Sequence, residues 1–183
     1  LGTIGALGAI LTVMAEDPGV RVPVIMYHAV MDDASRLGKY VISPEELESD
    51  FKWLSENGYT AVLSEDLINY TENGAALPEK PILLTFDDGY YNNYLYAYPT
   101  AKRYGMKFVL SPIGKYADLY TETPDKSPYY AHCTWDMLRE MQSSGVVEIA
   151  NHTYDLHSSD GARLGTEQLS GESLEDYTKL LTE

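Results

Sequence analysis

The chain has a single cysteine, Cys133, among 183 residues. One thiol excludes a disulfide within the chain and a metal centre built from several cysteines. Basic residues are also scarce, since 13 Lys and Arg stand against 28 Asp and Glu and leave a formal net charge of −15. A surface this acidic repels the phosphate backbone of nucleic acids. The composition therefore argues against DNA or RNA as a partner.

The sequence also lacks an apolar run long enough to cross a membrane as a helix, which takes about 20 residues. The stretch from Leu1 to Ala15 carries no charge and is followed by Glu16-Asp17-Pro18-Gly19. It fits the hydrophobic part of an export signal, and an N-terminal helix packed on the domain is the alternative. We predict that residues 1–19 are the remnant of an export or membrane-anchoring segment and that residues 20–183 form one domain.

Apolar runs and helical patterns alternate along the rest of the chain. Ser43-Pro44-Glu45-Glu46 has the form of a helix start, and Leu47, Phe51 and Leu54 follow it at helical spacing. Short apolar runs predict five strands, at residues 20–27, 59–63, 82–86, 107–111 and 146–150. Strands that alternate with helices indicate an α/β fold with a parallel sheet and right-handed crossovers.

Two stretches lack this periodicity. Residues 112–132 are rich in Gly, Pro, Asp and Tyr, and they predict a long loop of the kind that is usually functional or mobile. His132 lies in this stretch and is predicted to be structural or solvent-exposed. Residues 161–183 predict a loop followed by one helix from about residue 172.

Acidic and imidazole side chains follow three of the predicted strands. Asp87 and Asp88 follow the strand at 82–86, His28 follows the first strand, and His152 and His157 follow the fifth. The carboxyl ends of parallel strands meet at one edge of a sheet, where ligands and catalytic groups collect. A plain turn at the two aspartates and a hydrogen-bonded histidine at the end of the first strand are the alternatives.

The spacing of the two later histidines excludes a shared helical face. Residues five apart are about 140° apart around a helix, so His152 and His157 can converge only from a loop. Two imidazole nitrogens and one carboxylate oxygen, with a position left for water, have the composition of a catalytic metal site. The sequence therefore predicts a metal site at this edge of the sheet.

Two motifs at these strand ends resemble those of a known family. Thr85-Phe86-Asp87-Asp88-Gly89 resembles the first motif of the polysaccharide deacetylases with a NodB homology domain (carbohydrate esterase family 4), and residues 152–157 resemble the second. Residues 23–28 and 134–138 are also similar to segments of this family. The resemblance implies a (β/α) barrel-like parallel sheet of the NodB type and a deacetylase-like catalytic domain over residues 20–183.

The resemblance also implies roles for the residues at the strand ends. Asp88, His152 and His157 would bind a divalent metal, zinc before Co²⁺ or Ni²⁺, and Asp87 would be the general base. We assign three further residues to substrate binding: His28, Tyr90 and Tyr154. The reaction would remove N-acetyl groups from a polysaccharide that contains N-acetylglucosamine, with water activated by the metal and Asp87, and would release acetate.

Two departures from the common family pattern point to one branch. Many members have proline after the first motif where this chain has Tyr90, and many space the two histidines one residue closer. Both features resemble the branch of exported poly-N-acetylglucosamine deacetylases and sporulation-type enzymes. The expected substrate is thus a cell-wall polymer or exopolysaccharide, and the expected location is extracellular or at the cell envelope.

The later family motifs have no counterpart in this sequence. The barrel is therefore expected to be incomplete at its C-terminal side, with the apolar segment 1–19 or a second protomer covering the open edge. The alternative function is a non-catalytic module of the cell envelope that binds metal and glycan. A phosphotransferase with Asp87 as nucleophile is disfavoured, because neither a D-x-D motif nor a glycine-rich phosphate loop is present.

Overall fold

The structure, a computed structural model, describes residues 19–157, 161 and 163–182. The segment 1–19, predicted to be an export or anchoring remnant, lies outside this part except for Gly19. Across the described ranges, no helix is long and apolar enough to cross a membrane.

Strands and helices alternate along the described chain. The strands are β1 (Val24–Tyr27), β2 (Ala29–Val30), β3 (Val41–Ile42), β4 (Thr60–Val62), β5 (Pro81–Asp88), β6 (Phe108–Pro112) and β7 (Val147–Ile149). The α-helices are α1 (Pro44–Glu56), α2 (Ser64–Asn73), α3 (Tyr98–Tyr104), α4 (Gly114–Glu122), α5 (Trp135–Ser143) and α6 (Leu174–Thr182), and a π-helical segment, Asn93–Ala97, leads into α3. The five predicted strands are confirmed, with shifted ends.

The longest strand, β5, lies at the centre of a five-stranded parallel sheet. It pairs with β1 along Leu83–Phe86, with β4 along Pro81–Leu83 and with β6 along Thr85–Asp88. The strand β7 pairs with β6. A separate two-stranded sheet of β2 and β3 was not predicted, because two residues per strand leave no periodicity to detect.

One face of the sheet packs against helices to form the core. Phe86 of β5 is fully buried, with its ring 5.0 Å from that of Tyr27 and 4.6 Å from that of Phe108. On the opposite face of β1, Val24 and Met26 remain 60% and 57% exposed. In the described part of the chain β1 and β7 each pair with a single strand of this sheet, so both are edge strands.

The prediction of a long loop over residues 112–132 is wrong. Helix α4 occupies Gly114–Glu122, and the irregular segment begins only after it. The helix has Ile113 at its N-cap position, which offers no side-chain acceptor. Its first two N–H groups, of Gly114 and Lys115, donate instead to the carbonyls of Thr153 and Tyr154. A helix that is capped by a distant segment lacks the local start signal on which the sequence reading depends.

Candidate metal centre and active site

Three strand ends bring the predicted site residues to one edge of the sheet. His28 directly follows β1, Asp87 and Asp88 end β5, and His152 lies three residues after the end of β7. Since these strands are parallel, their carboxyl ends point the same way. The juxtaposition predicted from the sequence is thus present in the fold.

Asp88, His152 and His157 converge on one point. The Asp88 Oδ1 atom lies 3.5 Å from His152 Nε2 and 3.3 Å from His157 Nε2. One ligand atom from each of the three residues lies within 4.8 Å of the others. Two ligands that each bind zinc at about 2.1 Å with a tetrahedral angle are about 3.4 Å apart. The two Asp88–histidine separations therefore fit two ligands of one metal ion.

The burial of Asp88 also fits a metal ligand. Its side chain is only 7% exposed, and its Oδ1 atom has no hydrogen-bond partner within the described residues. A buried carboxylate oxygen without a partner is costly unless a cation compensates it. A divalent cation held by Asp88 and the two histidines would provide that compensation.

The backbone at this point is strained. Asp88 has φ 69° and Thr153 has φ 70°, the left-handed region that non-glycine residues seldom adopt. Gly89 follows with φ 74°, and a Cβ atom there would lie 2.6 Å from the Cβ of Pro112. Strained residues persist where the surrounding structure fixes them, often at active sites. Both loops that supply the ligand atoms contain such a residue.

Asp87 lies outside this triad and faces His28. Its Oδ2 atom is 3.8 Å from His28 Nε2, and both side chains are largely shielded from solvent. Two adjacent carboxylates therefore have separate surroundings, one between the later histidines and one beside His28. Such a separation lets neighbouring acids take different roles.

His132 is buried and structural, which corrects the alternative that it is solvent-exposed. Its ring lies 4.6 Å from that of Tyr90 and 4.5 Å from that of Tyr116. Burial lowers the pKa of His132 to about 4, so the ring is neutral at pH 7. Burial, and secondarily the charge of Asp88, raises the pKa of Tyr90. A neutral aromatic layer thus lies beside Asp88.

Cys133, the residue after His132, holds the turn that follows Asp88. The Cys133 N–H donates to the Gly89 carbonyl at 2.8 Å, and its thiol donates to the Tyr90 carbonyl at 3.3 Å. Burial raises the pKa of this thiol to about 12, so it stays protonated. The contact ties the segment before α5 to the turn that carries Asp88.

Two buried asparagines support the other side of the site. Asn93 donates to the His28 carbonyl at 2.7 Å. Asn92 accepts from the Val30 N–H at 3.0 Å and donates to the Pro128 carbonyl at 2.9 Å. Neither residue was predicted from the sequence. The available signal was a pair of adjacent amides, three and four residues after Gly89, in a segment that is otherwise rich in tyrosine.

A cavity of about 580 Å³ opens over the site. His28, Tyr90, Asp88 and His157 line it, together with residues that the sequence did not single out: Met26, Ala29, Met31, Tyr40, Val41 and Tyr129. Tyr154, the third predicted substrate contact, lines a neighbouring cavity of about 610 Å³ instead. Its hydroxyl donates to Asp118 at 3.0 Å. Substrate binding by Tyr154 stays a prediction.

Comparison with known proteins identifies the class. A family model described as polysaccharide deacetylase matches residues 74–180, and the chain therefore belongs to the polysaccharide deacetylase family. Members of this family are hydrolases that act on acetamido sugars. The resemblance read from the two motifs is confirmed.

Individual relatives make the likeness more specific. The poly-beta-1,6-N-acetyl-D-glucosamine N-deacetylase of Escherichia coli (strain K12) is 33% identical over 140 residues, which cover 73% of this chain and 20% of that enzyme. The protein YxkH of Bacillus subtilis (strain 168) is 33% identical over 135 residues, which cover 74% of this chain and 43% of that protein. The chain thus spans less than half the length of either relative.

Solved structures agree with the sequence matches. The de-N-acetylase from Aggregatibacter actinomycetemcomitans superimposes with a TM-score of 0.70 at 33% identity, covering 87% of this chain and 69% of that one. IcaB from Ammonifex degensii gives a TM-score of 0.69 at 28% identity, covering 89% and 64%. These neighbours confirm the predicted fold class, the (β/α) barrel-like fold of the NodB-type deacetylases.

Proposed function

We propose that this domain is the catalytic part of a metal-dependent deacetylase that removes N-acetyl groups from a polysaccharide containing N-acetylglucosamine. The observation that carries the proposal is the convergence of Asp88, His152 and His157 within 4.8 Å, with a second carboxylate, Asp87, outside this triad and 3.8 Å from His28. Two nitrogen donors and one oxygen donor suit zinc, and Co²⁺ or Ni²⁺ can take the same ligands.

Asp87 would act in the first step as the base, beside the metal that Asp88, His152 and His157 would hold. A divalent metal held by the triad, when bound, would acidify water and polarise the acetamide carbonyl. Asp87 removes a proton from the attacking water, for which its carboxylate must be ionised and within hydrogen-bond reach. Asp87 is suited to this because its Oδ2 atom lies 3.8 Å from His28 Nε2, beyond hydrogen-bond distance, so the carboxylate can accept from water.

His28 is the best-placed donor for the second step. Breaking the C–N bond leaves an amine that needs a proton, and imidazole is the side chain that most often supplies one. His28 lines the same cavity as His157, and Asn93 fixes its backbone through the His28 carbonyl. We assign general-acid catalysis to His28, a role beyond the substrate contact that its sequence position indicated. The products are acetate and a glucosamine unit.

The cavity walls suit a sugar. Tyr40 and Tyr129 are 51% and 41% exposed and border the same cavity as Tyr90. Flat aromatic rings with a hydroxyl can stack on a pyranose and bond to it at once. Because the Escherichia coli relative is named for poly-beta-1,6-N-acetyl-D-glucosamine, the β-1,6-linked polymer is the first substrate to test. Such polymers lie outside the cell, so we propose an extracellular or envelope location.

A non-catalytic module that binds metal and glycan is the second candidate. In the described part of the chain the Asp87 carboxylate accepts no hydrogen bond, so nothing but the His28 imidazole orients it as a base. A base that is not held in place loses much of its catalytic effect. This module would keep the metal and the cavity without turnover.

Acetate release distinguishes the deacetylase from the non-catalytic module. Acetate release from β-1,6-linked and β-1,4-linked N-acetylglucosamine oligomers is measured with zinc-loaded protein and with the Asp87→Asn, His28→Gln and His152→Ala variants. The deacetylase predicts turnover that falls about 10²–10⁴-fold in Asp87→Asn and His28→Gln while metal binding persists. Loss of both turnover and metal is expected in His152→Ala. Glycan binding without acetate release would favour the module, and absence of metal binding would refute both.

A further inference from the structure

The loop that carries both histidines is attached to the start of helix α4. The carbonyl of Thr153 accepts from the Gly114 N–H at 3.1 Å, and the carbonyl of Tyr154 accepts from the Lys115 N–H at 3.0 Å. These N–H groups are among the four that the first turn of any helix leaves unpaired. The loop caps the helix, and the helix in turn fixes the loop backbone between His152 and His157.

One turn further along α4, Asp118 holds the same loop through side chains. Its Oδ2 atom accepts from the Tyr154 hydroxyl at 3.0 Å, and its Oδ1 atom accepts from the Trp135 indole N–H at 2.7 Å. The second contact joins the network to the first residue of α5. Both carboxylate oxygens are thus used, by donors from two separate segments.

The arrangement matters because the backbone bonds to α4 fix the main chain of the loop but leave its exposed side chains to be held by other contacts. Tyr154 and His157 are both exposed, so little burial fixes their positions. Among the described residues α4 also contacts the loop through the Lys115–Asp155 ion pair, which is exposed on both sides. Exposed ion pairs contribute little to order. The Asp118–Tyr154 bond is also exposed at Tyr154, but its acceptor carboxylate is held by the part-buried bond from the Trp135 indole, so Asp118 is the better-ordered of the two anchors.

We infer that Asp118 is a positioning residue for the metal site, acting through Tyr154 to hold His152 and His157 at ligand separation. The inference rests on the proposed function, since it presupposes that the triad binds a metal. Groups that orient metal ligands from outside the ligand set commonly change metal affinity about 10–100-fold when they are removed. The same magnitude is expected here for loss of the Asp118 carboxylate.

Substitutions at Asp118 and Tyr154 can remove one or both of the hydrogen bonds that Asp118 accepts. Asp118→Ala removes both acceptors, and Tyr154→Phe removes only the hydroxyl. Asp118→Asn keeps one acceptor for the indole N–H and can donate from its amide to the tyrosine oxygen, which accepts as well as donates. Tyr104→Phe is the matched control, because Tyr104 makes the same kind of hydroxyl–carboxylate bond, to Glu48 at 2.8 Å, away from the histidine loop.

The test is zinc affinity, measured by calorimetric titration of metal-free protein, with the melting temperature of each metal-free variant recorded alongside. Asp118→Ala and Tyr154→Phe should bind zinc about 10-fold more weakly than the unaltered chain. Asp118→Asn should recover most of that loss, and Tyr104→Phe should bind like the unaltered chain. The recovery is what separates positioning of the loop from general stability of the fold.

The outcomes distinguish a failure of this inference from a failure of the proposed metal-dependent function on which it rests. If the unaltered chain binds zinc and both Asp118→Ala and Tyr154→Phe bind equally tightly, Asp118 does not position the ligands, whatever happens to the melting temperature. If Asp118→Asn binds as weakly as Asp118→Ala, the inference also fails. If the unaltered chain binds no zinc, the proposed function itself is overturned and this inference with it.

Discussion

Replacing Gly89 by alanine tests how rigidly the fold fixes the turn beside Asp88. The substitution adds one methyl group at a residue with φ 74°. A side chain in the left-handed region costs about 1–2 kcal/mol. Gly105 supplies a matched control, because it has φ 65° and open space where a Cβ would be. Gly105→Ala should therefore show the backbone cost alone.

At Gly89 the methyl group also meets another strand. Its Cβ would lie 2.6 Å from Pro112 Cβ and 2.8 Å from Pro112 Cα. Favourable carbon contacts lie near 3.5–4.0 Å, and Pro112 cannot move away freely because it pairs with Asp88 in the sheet. Forcing a methyl group into a packed site costs about 1–3 kcal/mol. With the backbone cost, Gly89→Ala should lower the free energy of unfolding by about 2–5 kcal/mol.

Urea unfolding of the two alanine variants, analysed by linear extrapolation, gives the comparison. The Pro112 carbonyl also accepts from the His152 N–H at 3.1 Å, so any shift of Pro112 should disturb the metal site as well. Zinc affinity is expected to fall in Gly89→Ala and to stay unchanged in Gly105→Ala. Equal unfolding free energies for the two variants would refute the steric reasoning.

Three further predictions follow from buried polar groups. Zinc at a thousandfold excess over its dissociation constant should stabilise the native state by about 4 kcal/mol, which raises the melting temperature by roughly 10 °C. Asp88→Asn should show no such increase when both proteins are compared by calorimetry. His132 has a pKa of about 4 in the native state, below the value of about 6.5 for an unfolded histidine, so the unfolded state binds the extra proton first. The stability due to neutral His132 is thus complete above pH 6.5 and is lost as the pH falls towards 4. It amounts to about 3 kcal/mol, and unfolding of His132→Phe between pH 4 and 7 should lack this component. An unchanged pH profile would contradict it. Asn92→Ala leaves the Val30 N–H and the Pro128 carbonyl without their partner. It should cost about 3 kcal/mol in urea unfolding, and a loss below about 1 kcal/mol would count against the role given to this amide.

Features whose cause is local could be predicted from the sequence. The start of α1 is one, since Ser43 Oγ accepts from the Glu46 N–H at 3.1 Å and the Ser43 N–H donates to Glu46 Oε2 at 2.9 Å. The strand β5 is another, because its apolar run and the two carboxylates that end it are adjacent in the chain. The convergence of Asp88, His152 and His157 was predictable because a parallel sheet brings the carboxyl ends of its strands together.

Features that depend on contacts between residues far apart in the sequence could not be predicted in this way. Helix α4 is capped by carbonyls of the histidine loop, so its own start carries no signal. The function of Asn92 and Asn93 depends on backbone groups of remote segments, which no local pattern reveals. Asp118 belongs to the same class, because its two partners lie on different loops and helices.

The reactivity of the buried Cys133 thiol can report on local opening of the structure. Only the thiolate attacks thiol reagents, and the native pKa of about 12 leaves almost no thiolate at pH 7. Modification therefore requires the segment to open, and its rate, divided by that of an unfolded peptide, gives the equilibrium constant for opening. Because Cys133 is the only thiol in the chain and its N–H is bonded to the Gly89 carbonyl, this rate reports on the turn that carries Asp88. Protection of a natural cysteine by added metal would thus measure, without any label, how strongly the ligand site is coupled to the core beneath it.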